Sequence, residues 1–306
     1  MDGFNTDTSK PVFILAATNF NIDPKKGVSL DPALLRRFDR KILVDLPNKE
    51  EREKYLRLKL PKYPIISLTD DEIENIATRS SGMSLADLES VIEFALRNAI
   101  KGNATIGDKD FEEAFETFNG GEKRLWSTKD LEKTARHEAG HTLIYWLSGN
   151  TPAYVTIVSR GDHGGYMQRN EEEKSGYTRR ELLESIRCSL GGRGAELVYY
   201  GDEDGVSTGA SSDLKNATRL AQAMICHYGM DEEVGLISAD YLDKDAEYQS
   251  IVRRRINQIL SEQLAIAKEQ IAKNRVAVDE LVKVLLETNY LKASQINEIL
   301  EKYAVK

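Results

Sequence analysis

The chain has 306 residues, 41% of them hydrophobic and 30% charged, with 7 Pro and 21 Gly. That is a globular balance with room for two domains or three small ones, and it excludes a disordered chain. A formal charge of −8 argues against a nucleic-acid binder, because affinity for phosphates comes from clustered Lys and Arg.

No window approaches the roughly 20 uninterrupted apolar residues of a membrane span, and no basic n-region with an apolar h-region opens the chain. Two cysteines, Cys188 and Cys226, fall in helix-like patterns without C-x-x-C spacing. They read as small buried apolar residues in a reducing, intracellular setting.

Taken in chain order, "VFILAATN" (12–19) is a continuous apolar run, as expected of a strand buried on both faces. "KILVDLP" (41–47) reads as a second such strand. Between them "DPALLRRFD" predicts a short helix opened by Asp31, with Pro32 at its first position. From Asn48 the pattern turns helical: 48–59, 69–79, 84–101 and 108–118. Thr69 with Glu72, and Ser84 with Asp87, carry N-terminal capping spacings.

"FNGGEKRLWS" (118–127) is the best boundary, with adjacent glycines and charge between periodic segments. A long helix then runs from Ser127, with Asp130 at the capping-box position, to Gly149. "AYVTIVSR" (153–160) and "GGYMQ" (164–168) read as two short strands around a Gly-rich turn. Helices are expected over 178–200, 211–229, 246–273, 276–287 and 292–302. "VRRR" (252–255), among acidic neighbours, reads as a solvated helix face.

Chemistry concentrates in "ARHEAGH" (135–141). Residues four apart stack on one helix face, so His137 and His141 can both aim a ring nitrogen at one Zn²⁺. Glu138, about 100° further round, is poorly placed as a ligand but well placed to take a proton from a water beside the metal. The chain has only four histidines, and half of them fall in this motif. An H-E-x-x-H arising by chance in so short a chain is on the order of one in two hundred.

The third ligand stays open on chemistry alone. A metzincin needs Gly at 144 and His at 147, where Ile144 and Leu147 stand. His163 lies in a Gly-rich turn, and His227 sits late in a helix, where a cation suits the dipole. Glu196, on a helix, and Asp213, in the first turn of another, are nearly tied.

The whole chain resembles the C-terminal part of an FtsH-type AAA+ ATP-dependent zinc metalloprotease. "MDGF" stands where that family ends its Walker B helix, and "ILAATN" matches the strand ending in its sensor asparagine. "LDPALLRRFDRKILVDLP" matches its arginine-finger segment, though without the family's Pro-Gly between the first two arginines. "HEAGH", "GGYMQ", "GGRGAE" and "STGASSDLKNAT" follow in the family order.

The resemblance implies an α/β remnant of an AAA+ core over 1–47, its helical lid over 48–120, and a mainly α-helical zinc peptidase domain with a small β-sheet over 121–306. It makes His137, His141 and Asp213 the zinc ligands and Glu138 the catalytic base, leaving Glu196 a helix residue near the site. Gly165, Tyr166 and Met167 become the edge strand along which an unfolded polypeptide adds by backbone pairing. Asn19 becomes the sensor, and Arg37 and Arg40 arginine fingers directed at a neighbour's nucleotide in a hexameric ring.

No G-x-x-x-x-G-K-[ST] occurs, and the nearest stretch, "GNATIGDKD" (102–110), has Asp108 where the lysine belongs. The acidic Walker B pair is missing too. An independent ATPase is therefore excluded, and ATP is expected only with a partner that supplies the P-loop. The family's membrane anchor is absent, so membrane attachment is expected only through that missing segment or a partner.

The expectation is a zinc endopeptidase for unfolded or misassembled polypeptides, on the cytoplasmic side and in a homo- or hetero-oligomer. The alternative is a non-catalytic assembly subunit of such a ring, which would leave Glu138 without a task.

Overall fold

The computed structural model describes residues 14–18, 20, 30–100, 105–120, 127–158, 164–170, 176–236 and 246–306. The chain divides into two compact units, Met1–Asp45 and Leu46–Lys306.

In the first unit the described residues hold one short helix, α1 (Pro32–Leu35), started by Asp31, whose Oδ1 accepts from the Ala33 N–H at 2.7 Å. Neither apolar run expected as a strand forms one among its described residues, 14–18 and 41–47. A strand needs a neighbour to pair its backbone groups, and these residues have none in a ladder. Ile42, Leu43 and Val44 are exposed. No strand of the expected α/β remnant is therefore seen among the described residues of this part.

The second unit begins with α2 (Lys49–Lys59), α3 (Asp70–Arg79), α4 (Leu85–Ile100) and α5 (Asp108–Gly120). Thr69 and Glu72 close the expected capping box on α3, and Asn48 with Glu51 closes one on α2. The first helical residues keep their orphan N–H groups satisfied in this way. These helices enclose their own core of Leu56, Ile76, Val91, Ile92, Phe111 and Phe115. Burying each such side chain contributes about 1.5–3 kcal/mol.

The remainder is built around α6 (Thr128–Leu147). Ser127 caps it by accepting from the Asp130 N–H at 3.2 Å. Its first turns are amphipathic, but Glu138 to Trp146 are buried without a break. A helix apolar or buried all round must run through a core, and α6 passes between α8 (Gly191–Gly205) and α11 (Arg275–Thr288). Around them stand α7 (Arg179–Ser189), α9 (Ser211–Cys226), α10 (Ala246–Lys273) and α12 (Ala293–Tyr303). The helix expected over 178–200 is thus two, broken at Leu190 just before the glycine pair. The helical path of α8 itself ends at Gly201, which has φ 77°.

Three short strands, β1 (Tyr154–Thr156), β2 (Tyr166–Gln168) and β3 (Tyr290–Lys292), form one antiparallel sheet in the order β2-β1-β3. Its period of two sends Val155, Met167 and Leu291 into the core beside α6, and the alternate side chains to the opposite face. Among the described residues no helix is long and apolar enough to cross a membrane.

Candidate metal centre

Helix α6 presents His137 and His141 on one side, and α8 and α9 bring the groups that meet them. His137 Nε2 lies 3.1 Å from His141 Nε2 and 3.1 Å from Asp213 Oδ2. His141 Nε2 lies 3.3 Å from the same carboxylate oxygen. A tetrahedral zinc with bonds of about 2.0–2.1 Å spaces its ligands roughly 3.3 Å apart, close to this triangle.

The other ring nitrogens decide what the triangle can hold. His141 Nδ1 is 2.7 Å from the Cys188 carbonyl oxygen, which can only accept, so Nδ1 carries the hydrogen. His137 Nδ1 is 3.0 Å from Glu196 Oε1, which likewise accepts. A neutral imidazole has one proton. In the neutral ring each Nε2 then turns its lone pair toward the Asp213 carboxylate oxygen. Three donor atoms converging on one point suit a cation, and the set is nitrogen-and-oxygen chemistry that fits Zn²⁺. Among the described residues, His137, His141 and Asp213 form the group able to hold a metal.

Charge in the cluster points the same way. Burial disfavours a proton on His137, yet hydrogen bonds with Asp213 and Glu196 hold its pKa above the usual value. His141 behaves alike and more strongly, burial being outweighed by Asp213 and the Cys188 carbonyl. Desolvation would raise the Asp213 carboxyl, but the two imidazoles hold it well below the usual carboxylate range. Each of these shifts asks for positive charge at the centre.

The local sequence explains the close approach. A Cβ at Gly140 would lie 2.8 Å from Ala195 Cβ, and a Cβ at Gly191 would lie 2.9 Å from the Gly140 oxygen, so α6 and α8 pack backbone to backbone. A Cβ at Gly192 would fall inside the His137 imidazole. Glu196, one turn on, is itself braced: Ser207 Oγ donates to its Oε1 at 2.7 Å, and Arg193 Nε stands 3.1 Å from its Oε2. Ser207 opens the 3-10 turn Thr208–Ala210, and α9 follows with Asp213 in its first turn, where a carboxylate also suits the helix dipole.

Glu138 is buried beside the histidines and lines an open cleft of about 950 Å³ with them. Gly165 and Met167 line the same cleft. A Cβ on Gly165 would stand 3.2 Å from Glu138 Cγ and 2.9 Å from Thr134 Cγ2, so only glycine lets the start of β2 lie against the acid. Among the described residues β2 stands at the end of the sheet order, next to β1.

The structure thus brings together His137, Glu138, His141, Asp213, Gly165, Tyr166 and Met167. Glu196 meets the far nitrogen of His137 instead of completing the triangle. Arg37 and Arg40 are exposed in the first unit. Asn19 and His163 lie outside the described residues, and His227 is the exposed C-cap of α9. Sequence reasoning missed Gly192, Ser207 and the Cys188 carbonyl. The run of glycines in "GGRG" was the available signal for the first of these.

A helix-borne pair of histidines with an adjacent buried acid and a carboxylate donor, opening beside a sheet edge, defines the class: a metalloprotease. The chain belongs to peptidase family M41, whose sequence profile matches residues 124–299. It is 35% identical to the ATP-dependent zinc metalloprotease FtsH of Thermotoga maritima, covering 99% of this chain and 51% of that protein. It is likewise 35% identical to the FtsH of Rhodothermus marinus (98% and 44%) and 33% identical to that of Thermus thermophilus (98% and 49%). The chain spans about half the length of the curated relatives it matches.

Proposed function

We propose that the chain is a zinc endopeptidase acting on unfolded polypeptides, with His137, His141 and Asp213 as ligands and Glu138 as general base. The observation that carries this is the triangle of Nε2, Nε2 and Oδ2 with sides of 3.1 to 3.3 Å, with Glu138 next to it in an open cleft. Zinc held there would lower the pKa of a water to about 7 and stabilise negative charge on a carbonyl oxygen. Glu138, one residue from His137 on α6, would take the proton from that water and deliver it to the departing amine. Glu196 and the Cys188 carbonyl fix both rings so that the Nε2 atoms face inward. The edge strand β2, at Gly165, Tyr166 and Met167, would pair with an extended substrate through backbone hydrogen bonds, which favours unfolded chains over particular side chains.

Residues 1–47 would then be the end of an AAA+ core, 48–120 its helical lid, and 121–306 the peptidase. Asn19, Arg37 and Arg40 would stand near a nucleotide that drives the feeding of substrate. Action on the cytoplasmic side is part of the same proposal.

The test is cleavage of casein and of a quenched fluorogenic peptide, with zinc and after chelation. Chelator-sensitive cleavage that disappears in Glu138→Gln supports the reading. A zinc-loaded protein that cleaves neither substrate overturns it in favour of an assembly subunit.

A further inference from the structure

The strand beside the metal centre is held in place from outside the peptidase half. Of the three residues of β2, Met167 turns into the core, while Tyr166 and Gln168 face away from it. Both outward side chains are bound by the helical half that precedes "FNGGEKRLWS". The Tyr166 hydroxyl donates to Glu116 Oε1 at 3.2 Å, and Arg79 Nη2 lies 3.4 Å from the same hydroxyl. The Gln168 amide nitrogen donates to the Arg79 carbonyl oxygen.

Arg79, the last residue of α3, is itself 4% exposed. Its guanidinium pairs with Glu112, bonds Glu116 Oε1 at 2.8 Å, and lies over the Tyr154 ring of β1 at 3.6 Å and the Phe115 ring at 4.8 Å. At the far edge of the sheet, Lys292 of β3 pairs with Asp108 and stands 3.6 Å from Glu112. One face of all three strands is therefore anchored on charges carried by α3 and α5.

A planar fork with several donors can hold two carboxylates and a phenol in one geometry, which a lysine cannot. A three-residue edge strand has little pairing of its own to hold its register.

We infer that Arg79 is a positioning residue for the substrate-pairing edge: through Glu116, Tyr166 and Gln168, the helical half sets where β2 stands relative to Glu138. This rests on the proposed peptidase reading and goes beyond it. It makes the helical half a regulator of substrate pairing, so any movement of α3 or α5 would be felt at Gly165 before it reached the metal ligands.

The experiment compares wild type, Tyr166→Phe and Arg79→Lys in the full chain. Tyr166→Phe removes only a hydroxyl, and so keeps the test open should Arg79→Lys not fold. Three quantities are read: zinc content, steady-state cleavage of an unstructured peptide, and amide exchange of Tyr166, Met167 and Gln168. Both variants are expected to keep zinc and to exchange those three amides about fivefold faster. The peptide KM is expected to rise by about fivefold with kcat nearly unchanged, the size of effect one lost hydrogen bond supports. Wild-type exchange and KM in both variants would overturn the inference. So would a fall in kcat at constant KM, which reports a loss of folded enzyme. Should the wild type cleave nothing, the peptidase reading falls, and the exchange data still decide whether Arg79 holds β2.

Discussion

His137 Nε2 and His141 Nε2 face each other at 3.1 Å, each ring having committed its hydrogen to a different acceptor on the far side. Two lone pairs at that distance repel unless something positive lies between them and Asp213. The purified protein is therefore expected to carry one zinc per chain. His137→Ala and His141→Ala are expected to lose it on dialysis. Glu196→Gln, which touches no metal but braces the His137 ring, is expected to weaken zinc affinity about 10- to 100-fold, the usual cost of losing such a partner. Competition with a chromogenic chelator measures all three. Zinc retained at full affinity in Glu196→Gln would show that the brace does not matter.

Glu138 separates binding from chemistry. It is buried beside the ligands but makes no edge of the triangle, so Glu138→Gln is expected to hold zinc as the wild type does. A positioned general base contributes about 10²–10⁴ to a rate, and peptide cleavage is expected to fall within that range. Metal analysis alongside initial rates checks both halves. Joint loss of zinc and activity would make Glu138 a structural residue instead.

What was legible beforehand follows the range of the interactions. The start of α6 at Ser127, the capping box of Thr69 and Glu72, and the facing of His137 and His141 depend on residues three or four apart, and period and spacing report them. Glu196 and Asp213 could not be separated by such reasoning, because they meet His137 from 59 and 76 residues away. Only the crossing of α8 over α6 puts one behind the ring and the other in front. β3 escaped notice since three residues between two helices show no alternation, and it exists because β1 offers it an edge. The apolar runs 12–19 and 41–47 mislead for the converse reason. Strand propensity without a partner in the ladder leaves the described residues 14–18 and 41–47 without a regular element and largely exposed.

Acid sensitivity is expected away from the metal, where the loop after α9 is tied to α10. Asp231 is buried and accepts from Arg255 Nη2 at 2.8 Å and from the Glu233 and Val234 N–H groups at 3.1 Å. Desolvation alone would raise its pKa, but Arg255 and these amides pull it below the usual carboxylate value. A carboxyl depressed in the folded state stabilises above its unfolded pKa of about 3.9, and that stability is lost as pH falls through the folded value. The urea midpoint of wild type should thus exceed that of Asp231→Asn at neutral pH, with the gap narrowing below about pH 4. A gap independent of pH would mean that the carboxylate charge contributes nothing.

The last prediction concerns an atom that is missing. Gly192 has no side chain where His137 places its imidazole, and any Cβ there would overlap the ring. The ring cannot swing away without breaking its bond to Glu196 and withdrawing Nε2 from Asp213. Gly192→Ala is therefore expected to fold, since it sits on a helix where alanine is otherwise favoured, while losing tight zinc binding. Overpacking of this kind costs about 1–3 kcal/mol, partly offset by the gain in helix propensity. The change should consequently appear more strongly in zinc content than in the metal-free melting temperature. Calorimetry with and without added zinc separates the two. A variant that keeps wild-type zinc affinity would mean that α8 can shift off α6 without disturbing the site, which the 2.9 Å approach that a Cβ at Gly191 would make to the Gly140 oxygen argues against.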